Sequence, residues 1–260
     1  MEPRRLVTSI ESGLRACSSP ERAAGAKRYL KSELEFIGVT TPEFRAVVRD
    51  CLRAHGPVAP GELRATVEEL WERPVFELRA AAVELLDRHA KVLEPHDLAR
   101  IERMLRESGT WALVDWLAAR VAGGLIERWP ALAAELDRWA ADPDFWIRRA
   151  ALLTLLTPLR RGGGDFERLG RYADAMLEER EFFIRKAIGW VLREVAKKRP
   201  ELVEAWLRPR LARASGLTVR EAVKYLPAER RAALLELRPT SRRPAPAPGS
   251  RRREREGRSA

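Results

Sequence analysis

Aromatic, basic and acidic side chains recur at helical spacing in separate segments of the chain. In residues 181–201, Trp190 follows Lys186 by four residues and precedes Arg193 by three. Offsets of three and four share one helix face, so the indole would lie between two cations. Cations neutralise phosphates and a flat apolar ring packs on a sugar or base, so this combination suits a nucleic acid. The alternative is a core tryptophan beside a solvated charged face.

A second segment combines an aromatic side chain with a carboxylate. Trp111 and Asp115 are four residues apart and would share a helix face. A lone acid weakens binding to a polyanion, so Asp115 either pairs with Arg148 or Arg149 or takes part in chemistry. One carboxylate can stabilise developing positive charge or orient a water, and it suffices where the leaving group is already cationic. Ordinary glycoside hydrolysis uses two carboxylates.

The elements that would position these residues are helices. Ala, Leu, Arg and Glu dominate the composition, and 33% of the residues are charged. No long Val, Ile or Thr run alternates strictly with polar residues, so a sheet is not expected. Residues 41–43 (Thr-Pro-Glu) and 142–144 (Asp-Pro-Asp) predict helix starts. In each, a cap residue, Thr41 or Asp142, would precede a proline at the first helical position.

An internal repeat runs along these helices. An apolar start is followed by an apolar residue, Arg, any residue and Ala, at residues 76–86, 145–156, 182–192 and 217–226. Residues 111–121 fit if Asp115 takes the arginine's place. The steps between the five positions are 36, 33, 37 and 35 residues. This period, with two helices per unit, predicts an all-α helical solenoid of HEAT-like repeats, an α-α superhelix with a concave basic groove.

Two sets of residues are expected to serve the fold. The repeated arginines would form hydrogen bonds or ion pairs between repeats, and they are Arg79, Arg148, Arg185 and Arg220. The tryptophans without suitably spaced partners would lie in the core or at an interface, and they are Trp71, Trp116, Trp129, Trp139 and Trp206.

The charge balance favours a polyanionic partner. The formal net charge is +11, and residues 239–260, with seven Arg and two Glu, contribute +5 of it. Residues 1–238 therefore keep +6, which is typical of a nucleic-acid-binding surface. We interpret residues 1–238 as one repeat domain. Residues 239–260 are rich in Pro, Ser and Arg and cannot bury a core, so a disordered tail is expected there.

Missing sequence features exclude several classes of protein. Cys17 and Cys51 are the only cysteines, without a CxxC or a histidine at ligand spacing, so neither a metal site nor a disulfide framework is predicted. The phosphate-binding, dinucleotide-binding, zinc-hydrolase and serine-hydrolase motifs are absent. We therefore expect no cofactor. No segment approaches the roughly 20 apolar residues of a membrane span, and no export signal is visible. A cytoplasmic monomer is expected.

Four segments resemble the AlkD-type DNA alkylation repair glycosylases, a family of HEAT-like repeat proteins. They are RYLKSELEFIGVTTPEFR (28–45), TWALVDWLA (110–118), DFWIRRAALLTLL (144–156) and EFFIRKAIGWVLREVAKKRPE (181–201). In that family two tryptophans, an aspartate and an arginine line the concave DNA groove. The corresponding residues here are Trp111, Asp115, Arg149 and Trp190. Thr110 and Ala112 depart from the family, which often has an aromatic residue and an acid beside the first tryptophan.

The resemblance implies an activity and a role for each residue. The family removes cationic N3- and N7-alkylated purines from duplex DNA by hydrolysing the N-glycosidic bond, without a metal. Asp115 would stabilise the oxocarbenium-like sugar and position water, and Trp111 and Trp190 would face the deoxyribose. The residues expected to contact DNA are Arg148, Arg149, Lys186 and Arg193, with Arg149 on a phosphate beside the lesion. The alternatives are a non-catalytic binder of damaged or branched DNA and a protein-binding helical scaffold.

Overall fold

The computed structural model describes residues 3–238, and within that range the chain forms helices and their connections. The α-helices are α1 (Pro3–Ala16), α2 (Pro20–Leu30), α3 (Thr41–His55), α4 (Pro60–Trp71), α5 (Phe76–Arg88), α6 (Asp97–Glu107), α7 (Trp111–Trp116), α8 (Gly123–Arg128), α9 (Ala133–Ala140), α10 (Phe145–Thr154), α11 (Leu156–Arg160), α12 (Phe166–Ala175), α13 (Phe182–Ala196), α14 (Pro200–Leu207), α15 (Gly216–Ala222) and α16 (Ala228–Glu236). A π-helical segment, Leu117–Ala122, joins α7 to α8. The predicted tail, residues 239–260, lies outside the described residues.

The helices stack in two layers. The inner layer consists of α5, the continuous α7–α8 helix, α10, α13 and α15, and each packs against the next in this order. The outer layer of α4, α6, α9, α12 and α14 packs against it. Apolar side chains from both layers form one continuous core. The predicted all-α solenoid of HEAT-like repeats is therefore confirmed, and its inner helices carry the residues that the sequence singled out.

The repeated arginines fasten each inner helix to the turn before it. Arg79 donates to the carbonyl oxygen of Trp71 at 3.0 Å, and Arg185 donates to that of Glu179 at 2.7 Å. Arg148 donates to the carbonyl oxygen of Asp142 at 2.6 Å. These bonds satisfy backbone acceptors at the helix boundary. The predicted bonds between repeats are confirmed for Arg79, which also donates to the carbonyl oxygen of Glu107 at 2.6 Å, and for Arg148, which also donates to the Glu179 carboxylate at 2.9 and 2.8 Å. The bond of Arg185 stays within the turn before its own helix, and Arg220 is exposed.

The helix starts correct the register of Asp115. The repeated arginine is the fourth residue of α5, α10 and α13, but Asp115 is the fifth residue of α7. The residue in the arginine's place is therefore Val114, and the predicted alignment was wrong by one residue. Arg149 and Lys186 are the fifth residues of α10 and α13. Asp115, Arg149 and Lys186 thus occupy equivalent positions on three successive inner helices.

Both predicted helix starts exist, but the capping residues differ from the prediction. The cap of α3 lies one residue earlier than predicted, and the cap of α10 lies two residues later. α3 is capped by Thr40 rather than Thr41, because the Thr40 side chain accepts from the Glu43 amide and the Glu43 carboxylate accepts in return. α10 is capped by Asp144 rather than Asp142, since Asp144 accepts from the amide of Trp146.

The tryptophans divide between core and surface. Trp71, Trp139 and Trp206 are buried, as predicted. Trp116 is half-buried and donates to Asp87 at 3.0 Å. Trp129 is 43% exposed and does not belong to the core, because it lies at the turn after α8, on the outside of the stack.

Candidate active site

The inner helices α7, α10 and α13, together with the end of α2, enclose a cavity of about 720 Å³ that we call the aromatic cavity. Its aromatic lining consists of Tyr29, Trp111, Trp146, Phe182, Phe183 and Trp190. Its charged lining consists of Lys31, Asp115, Arg149 and Lys186. The structure thus brings together the four residues implied by the resemblance, together with Lys186. They come from three repeats because the solenoid superimposes equivalent helix positions.

Local backbone geometry holds Trp111 and Tyr29 against each other. Thr110 is buried and extended, and its side chain caps α7, so Trp111 begins the helix at the cavity wall. On the opposite side α2 ends at Lys31, which adopts a left-handed conformation with φ 49°. The ring of Tyr29 meets that of Trp111 edge-on, with centroids 5.8 Å apart. Tyr29 is 72% exposed and forms the rim of the cavity.

The connection from α2 to α3 is fixed by a buried carboxylate. Glu77 on α5 accepts from the amides of Ile37 and Gly38 at 2.9 and 2.8 Å. Gly38 has φ +83°, and a Cβ there would lie 2.2 Å from the carbonyl oxygen of Ser19. Glycine is therefore required for this close approach. Glu77 and Gly38 together anchor α2 beside the cavity.

Asp115 and Arg149 form a bidentate ion pair. Nε and Nη2 of Arg149 donate to the two carboxylate oxygens of Asp115 at 2.7 and 2.8 Å. The third guanidinium nitrogen, Nη1, donates to the carbonyl oxygen of Phe183. Arg149 is only 3% exposed. The guanidinium is buried and three of its five N–H groups are used in these bonds, so the expected phosphate contact of Arg149 stays a prediction.

The Asp115 carboxylate nevertheless keeps capacity for chemistry. Its side chain is 14% exposed, and each carboxylate oxygen can accept a further hydrogen bond beside the one from Arg149. Burial raises the pKa of Asp115 above its ordinary value, and the hydrogen bonds and charge of Arg149 oppose that rise. A carboxylate that is oriented by an arginine and has a raised pKa is a suitable acceptor for the proton of a water.

Trp190 is positioned by close packing between α13 and α15. At Gly189, the residue before it, a Cβ would lie 2.9 Å from the carbonyl oxygen of Thr218 on α15. Glycine thus lets the two helices approach, and Trp190 stays half-buried in the cavity wall. The two cations predicted to flank it, Lys186 and Arg193, both donate to the Glu221 carboxylate.

A second cavity, of about 800 Å³, adjoins the first, and we call it the arginine groove. Its charged lining consists of Arg45, Glu84, Asp87, Arg88, Asp115, Arg120 and Arg160. Trp111, Asp115 and Trp190 line both spaces, so the carboxylate lies at their junction. Arg148 and Arg193 line neither of them. Arg148 donates to the turn before α10 and to Glu179, so its position does not support the predicted contact with DNA.

Sequence reasoning missed several residues of the site. Phe182 is 56% exposed at the cavity rim and is the first residue of α13, as Trp111 is the first residue of α7. Alignment of helix starts would have identified it. Tyr29 carries no such signal, because α2 is outside the repeat. Glu221 does carry one, because it follows the repeated Arg220 as Arg149 follows Arg148 and Lys186 follows Arg185.

Two other properties apply to residues 3–238. No group of three or more His, Cys, Asp or Glu side chains is placed there to hold a metal ion. None of the helices in that part of the chain has both the length and the apolar character needed to cross a membrane.

Comparison with known proteins assigns the chain to a protein family. Residues 10–226 match the protein family described as DNA alkylation repair enzyme. The chain belongs to this family. The match covers all the residues that line both cavities, and it implies DNA as the partner. The resemblance to AlkD-type proteins is thereby confirmed.

Solved structures of similar fold carry related descriptions. One is described as a predicted DNA alkylation repair enzyme from Enterococcus faecalis. It is 24% identical, covers 81% of this chain and 97% of its own, and has a TM-score of 0.73. AlkD2 from Streptococcus mutans is 18% identical, covers 80% of this chain and 99% of its own, and has a TM-score of 0.56. These likenesses show the fold. No curated protein matches the sequence.

Proposed function

We propose that this family member is a monofunctional DNA glycosylase that excises cationic N3- and N7-alkylated purines from duplex DNA and leaves an abasic site. The observation that carries the proposal is the position of Asp115. It is the one carboxylate in the lining of the aromatic cavity, and it lies where that cavity meets the arginine groove. A single acid between aromatic faces suits a reaction whose leaving group needs no proton.

Alkylation at N3 or N7 gives the purine a positive charge. When the glycosidic bond breaks, its electron pair moves to the base, which leaves neutral, and the positive charge develops on the deoxyribose. Asp115 stabilises that charge, and the π faces of Trp111 and Trp190 add cation–π attraction. A water then bonds to the sugar carbon and gives up a proton to Asp115, so the products are a free base and an abasic site.

Arg149 acts as a positioning residue for this chemistry. Its two hydrogen bonds to Asp115 and one to the Phe183 carbonyl oxygen link the carboxylate on α7 to α10 and, through the guanidinium, to α13. A fixed charge stabilises a developing cation without the cost of reorienting during the reaction. The arginine also opposes the rise in the pKa of Asp115 that burial causes.

The DNA backbone would follow the cations that face the two cavities. Lys186 and Lys31 line the aromatic cavity, and Arg45, Arg88 and Arg120 line the groove. Phosphates on either side of the lesion would contact these side chains, while Asp115 faces the sugar between them. Because such contacts release counterions, binding should weaken steeply with salt.

The experiment is base release from duplex DNA treated with a methylating agent. We expect free 7-methylguanine or 3-methyladenine, together with abasic sites in equal number, above the spontaneous loss from the same DNA without protein. Unmethylated duplex is the matched control and should release nothing. Salt-sensitive binding with all bases retained would contradict the proposal and favour a non-catalytic binder. Absence of DNA binding at moderate salt would favour a protein-binding scaffold.

A further inference from the structure

One carboxylate of α15 holds both cations that flank Trp190. Oε1 of Glu221 accepts from Nζ of Lys186, and Oε2 accepts from Nη1 of Arg193. Lys186 and Arg193 are seven residues apart and therefore share a face of α13. We call these three side chains the Glu221 node. It joins two cations to one anion, so it carries a net charge of +1. Arg193 also lies 3.7 Å from Glu194, but that carboxylate is neutralised by closer pairs with Arg160 and Lys197, each at 2.9 Å.

The node is built into the packing of α13 against α15. The Glu221 side chain is 17% exposed and that of Arg193 is 20% exposed. A Cβ at Gly189 would lie 2.6 Å from the Cβ of Glu221, so the two helices are in close contact at the node. Burial alone would raise the pKa of Glu221, but its hydrogen bond to Lys186 and the nearby charges of Lys186 and Arg193 hold that pKa below its ordinary value. Glu221 is therefore ionised at neutral pH.

The node differs from the other ion pair of the aromatic cavity. Asp115 and Arg149 neutralise each other one to one, with the arginine 3% exposed. Lys186 is 39% exposed and lines the cavity, so its charge is available to a phosphate. Glu221 competes with that phosphate for the same ammonium group. The attraction between this wall and DNA thus depends on a carboxylate that does not line the cavity.

We propose that Glu221 is a specificity-determining residue that limits the attraction of Lys186 and Arg193 for phosphate. This inference rests on the proposed function, in which DNA occupies the aromatic cavity. Phosphate attraction is the same for damaged and undamaged duplex, so it adds affinity without selectivity. Undamaged DNA is in large excess, and a cation beside Trp190 without a counter-ion would hold the protein on it. Glu221 lowers this sequence-independent affinity and leaves the contacts of Asp115 with a lesion unchanged.

Counterion release makes the proposal measurable with undamaged duplex. The slope of log Kobs against log salt concentration steepens by about 0.9 for each additional phosphate neutralised. Glu221→Gln raises the charge of the node from +1 to +2, so the slope should steepen by about 0.9. Affinity at about 0.1 M salt should then rise roughly tenfold. Lys186→Gln lowers the node charge to zero and should flatten the slope by about 0.9.

The double variant Lys186→Gln/Glu221→Gln restores a node charge of +1, so its slope should return to that of the wild type. If Glu221 had no influence on phosphate binding, the slope of Glu221→Gln would equal that of the wild type. The slope of the double variant would then equal that of Lys186→Gln. Either result would overturn the proposal.

The chain offers a matched control in Asp174. This carboxylate also accepts from two cations, Arg210 and Arg213, but none of the three side chains lines the aromatic cavity or the arginine groove. Asp174→Asn changes the net charge as Glu221→Gln does, and it should leave the salt slope unchanged. An equal steepening in both variants would show that total charge rather than the node sets the slope, and it would contradict the proposal.

A second variant keeps the test valid if Glu221→Gln does not fold. Arg193→Gln removes a cation that lies outside the cavity, yet it should flatten the slope by about 0.9, because Glu221 then neutralises Lys186 fully. An unchanged slope in folded Arg193→Gln would overturn the proposal. These measurements need no base release, so they fail independently of the glycosylase proposal. If the wild type releases no base but the slopes follow the node charge, only the proposed function fails.

Discussion

Arg148 and Arg149, which are adjacent in α10, form similar hydrogen bonds but have different roles. Arg148 donates to both carboxylate oxygens of Glu179, at 2.9 and 2.8 Å, and to the carbonyl oxygen of Asp142. Arg149 donates to both carboxylate oxygens of Asp115, at 2.7 and 2.8 Å, and to the carbonyl oxygen of Phe183. Each joins two repeats through a bidentate pair and a backbone acceptor.

The difference lies in the place of the carboxylate. Glu179 follows α12 in the turn before α13, and its pair with Arg148 ties one repeat to the next. Asp115 lies at the junction of two cavities, so its pair with Arg149 orients a group that can meet a ligand. The number and geometry of hydrogen bonds therefore do not reveal which arginine serves the site. Substituting each arginine separately should reveal which of them serves the site.

The largest effect is expected from Arg149→Gln. The variant leaves the buried Asp115 carboxylate without its cation, which costs about 3–5 kcal/mol of unfolding free energy. It should also raise the pKa of Asp115 further above its ordinary value, because burial then acts unopposed. A raised folded-state pKa gives stability that is present at low pH and lost as pH rises through that pKa. The deficit in urea unfolding should therefore be larger at pH 8 than at pH 5.

Arg149→Lys is the matched control for this prediction. It retains a cation but not the two-pronged hydrogen bonding, so its deficit should be smaller and less dependent on pH. An equal deficit at both pH values in Arg149→Gln would contradict a buried, ionised Asp115.

The next effect concerns Glu102, an acceptor between repeats that lines neither cavity. It accepts from Arg138, Arg106 and the indole of Trp139, and these bonds lower its pKa to about 2, with Arg138 as the main cause. A folded-state pKa below the unfolded value gives stability that is present above about pH 4.5 and lost as pH falls toward 2. From the shift, the loss is about 3 kcal/mol. Glu102→Gln should therefore cost up to that amount at pH 7 in urea unfolding.

The deficit of the same variant should shrink to about 1 kcal/mol near pH 2.5, because Glu102 is then about one quarter protonated in the fold and almost fully protonated in the unfolded chain. A deficit that is independent of pH would contradict the stated role of its charge. Base release by folded Glu102→Gln is expected within about threefold of the wild type. This result would show that Glu102, like Arg148, stabilises the fold and does not act in the site.

A smaller effect is expected from Arg148→Gln. It removes the partner of the partly exposed Glu179 and a donor to the Asp142 carbonyl, which costs about 1–3 kcal/mol. Chemical unfolding at pH 7 measures this cost. Base release by the folded variant should change by less than about threefold, since Arg148 lines neither cavity. A larger loss of base release in folded Arg148→Gln would contradict its assignment to the fold and remove the distinction between the two arginines.

The sequence predicted the solenoid because its period depends on local spacing. The apolar starts and the arginines recur once per repeat, and they indicate which helices are equivalent. It also indicated Trp111, Asp115, Arg149 and Trp190 through the resemblance, and all four lie in one cavity. The predicted alignment of Asp115 with the repeated arginine was wrong by one residue. Asp115 is the fifth residue of α7, whereas the repeated Arg148 is the fourth residue of α10.

The partners of the charged residues were predicted only in part. An ion pair of Asp115 with Arg148 or Arg149 was one alternative from the sequence, and the structure shows the pair with Arg149, 34 residues away. The pair of Lys186 with Glu221, 35 residues away, was not predicted. The choice between a phosphate contact and an ion pair is made by packing between repeats, and local spacing does not contain it. The sequence prediction therefore did not show which of these cations are paired within the protein, and it did not include Glu221.

The most direct test of the account is single-turnover release of 7-methylguanine by wild type and Asp115→Asn, with protein in saturating excess over methylated duplex. Asparagine keeps the shape of the side chain and removes its charge. We predict release on the order of 100- to 10,000-fold slower in the variant, with duplex affinity equal to or greater than that of the wild type. Release by folded, DNA-bound Asp115→Asn within threefold of the wild type would contradict the account.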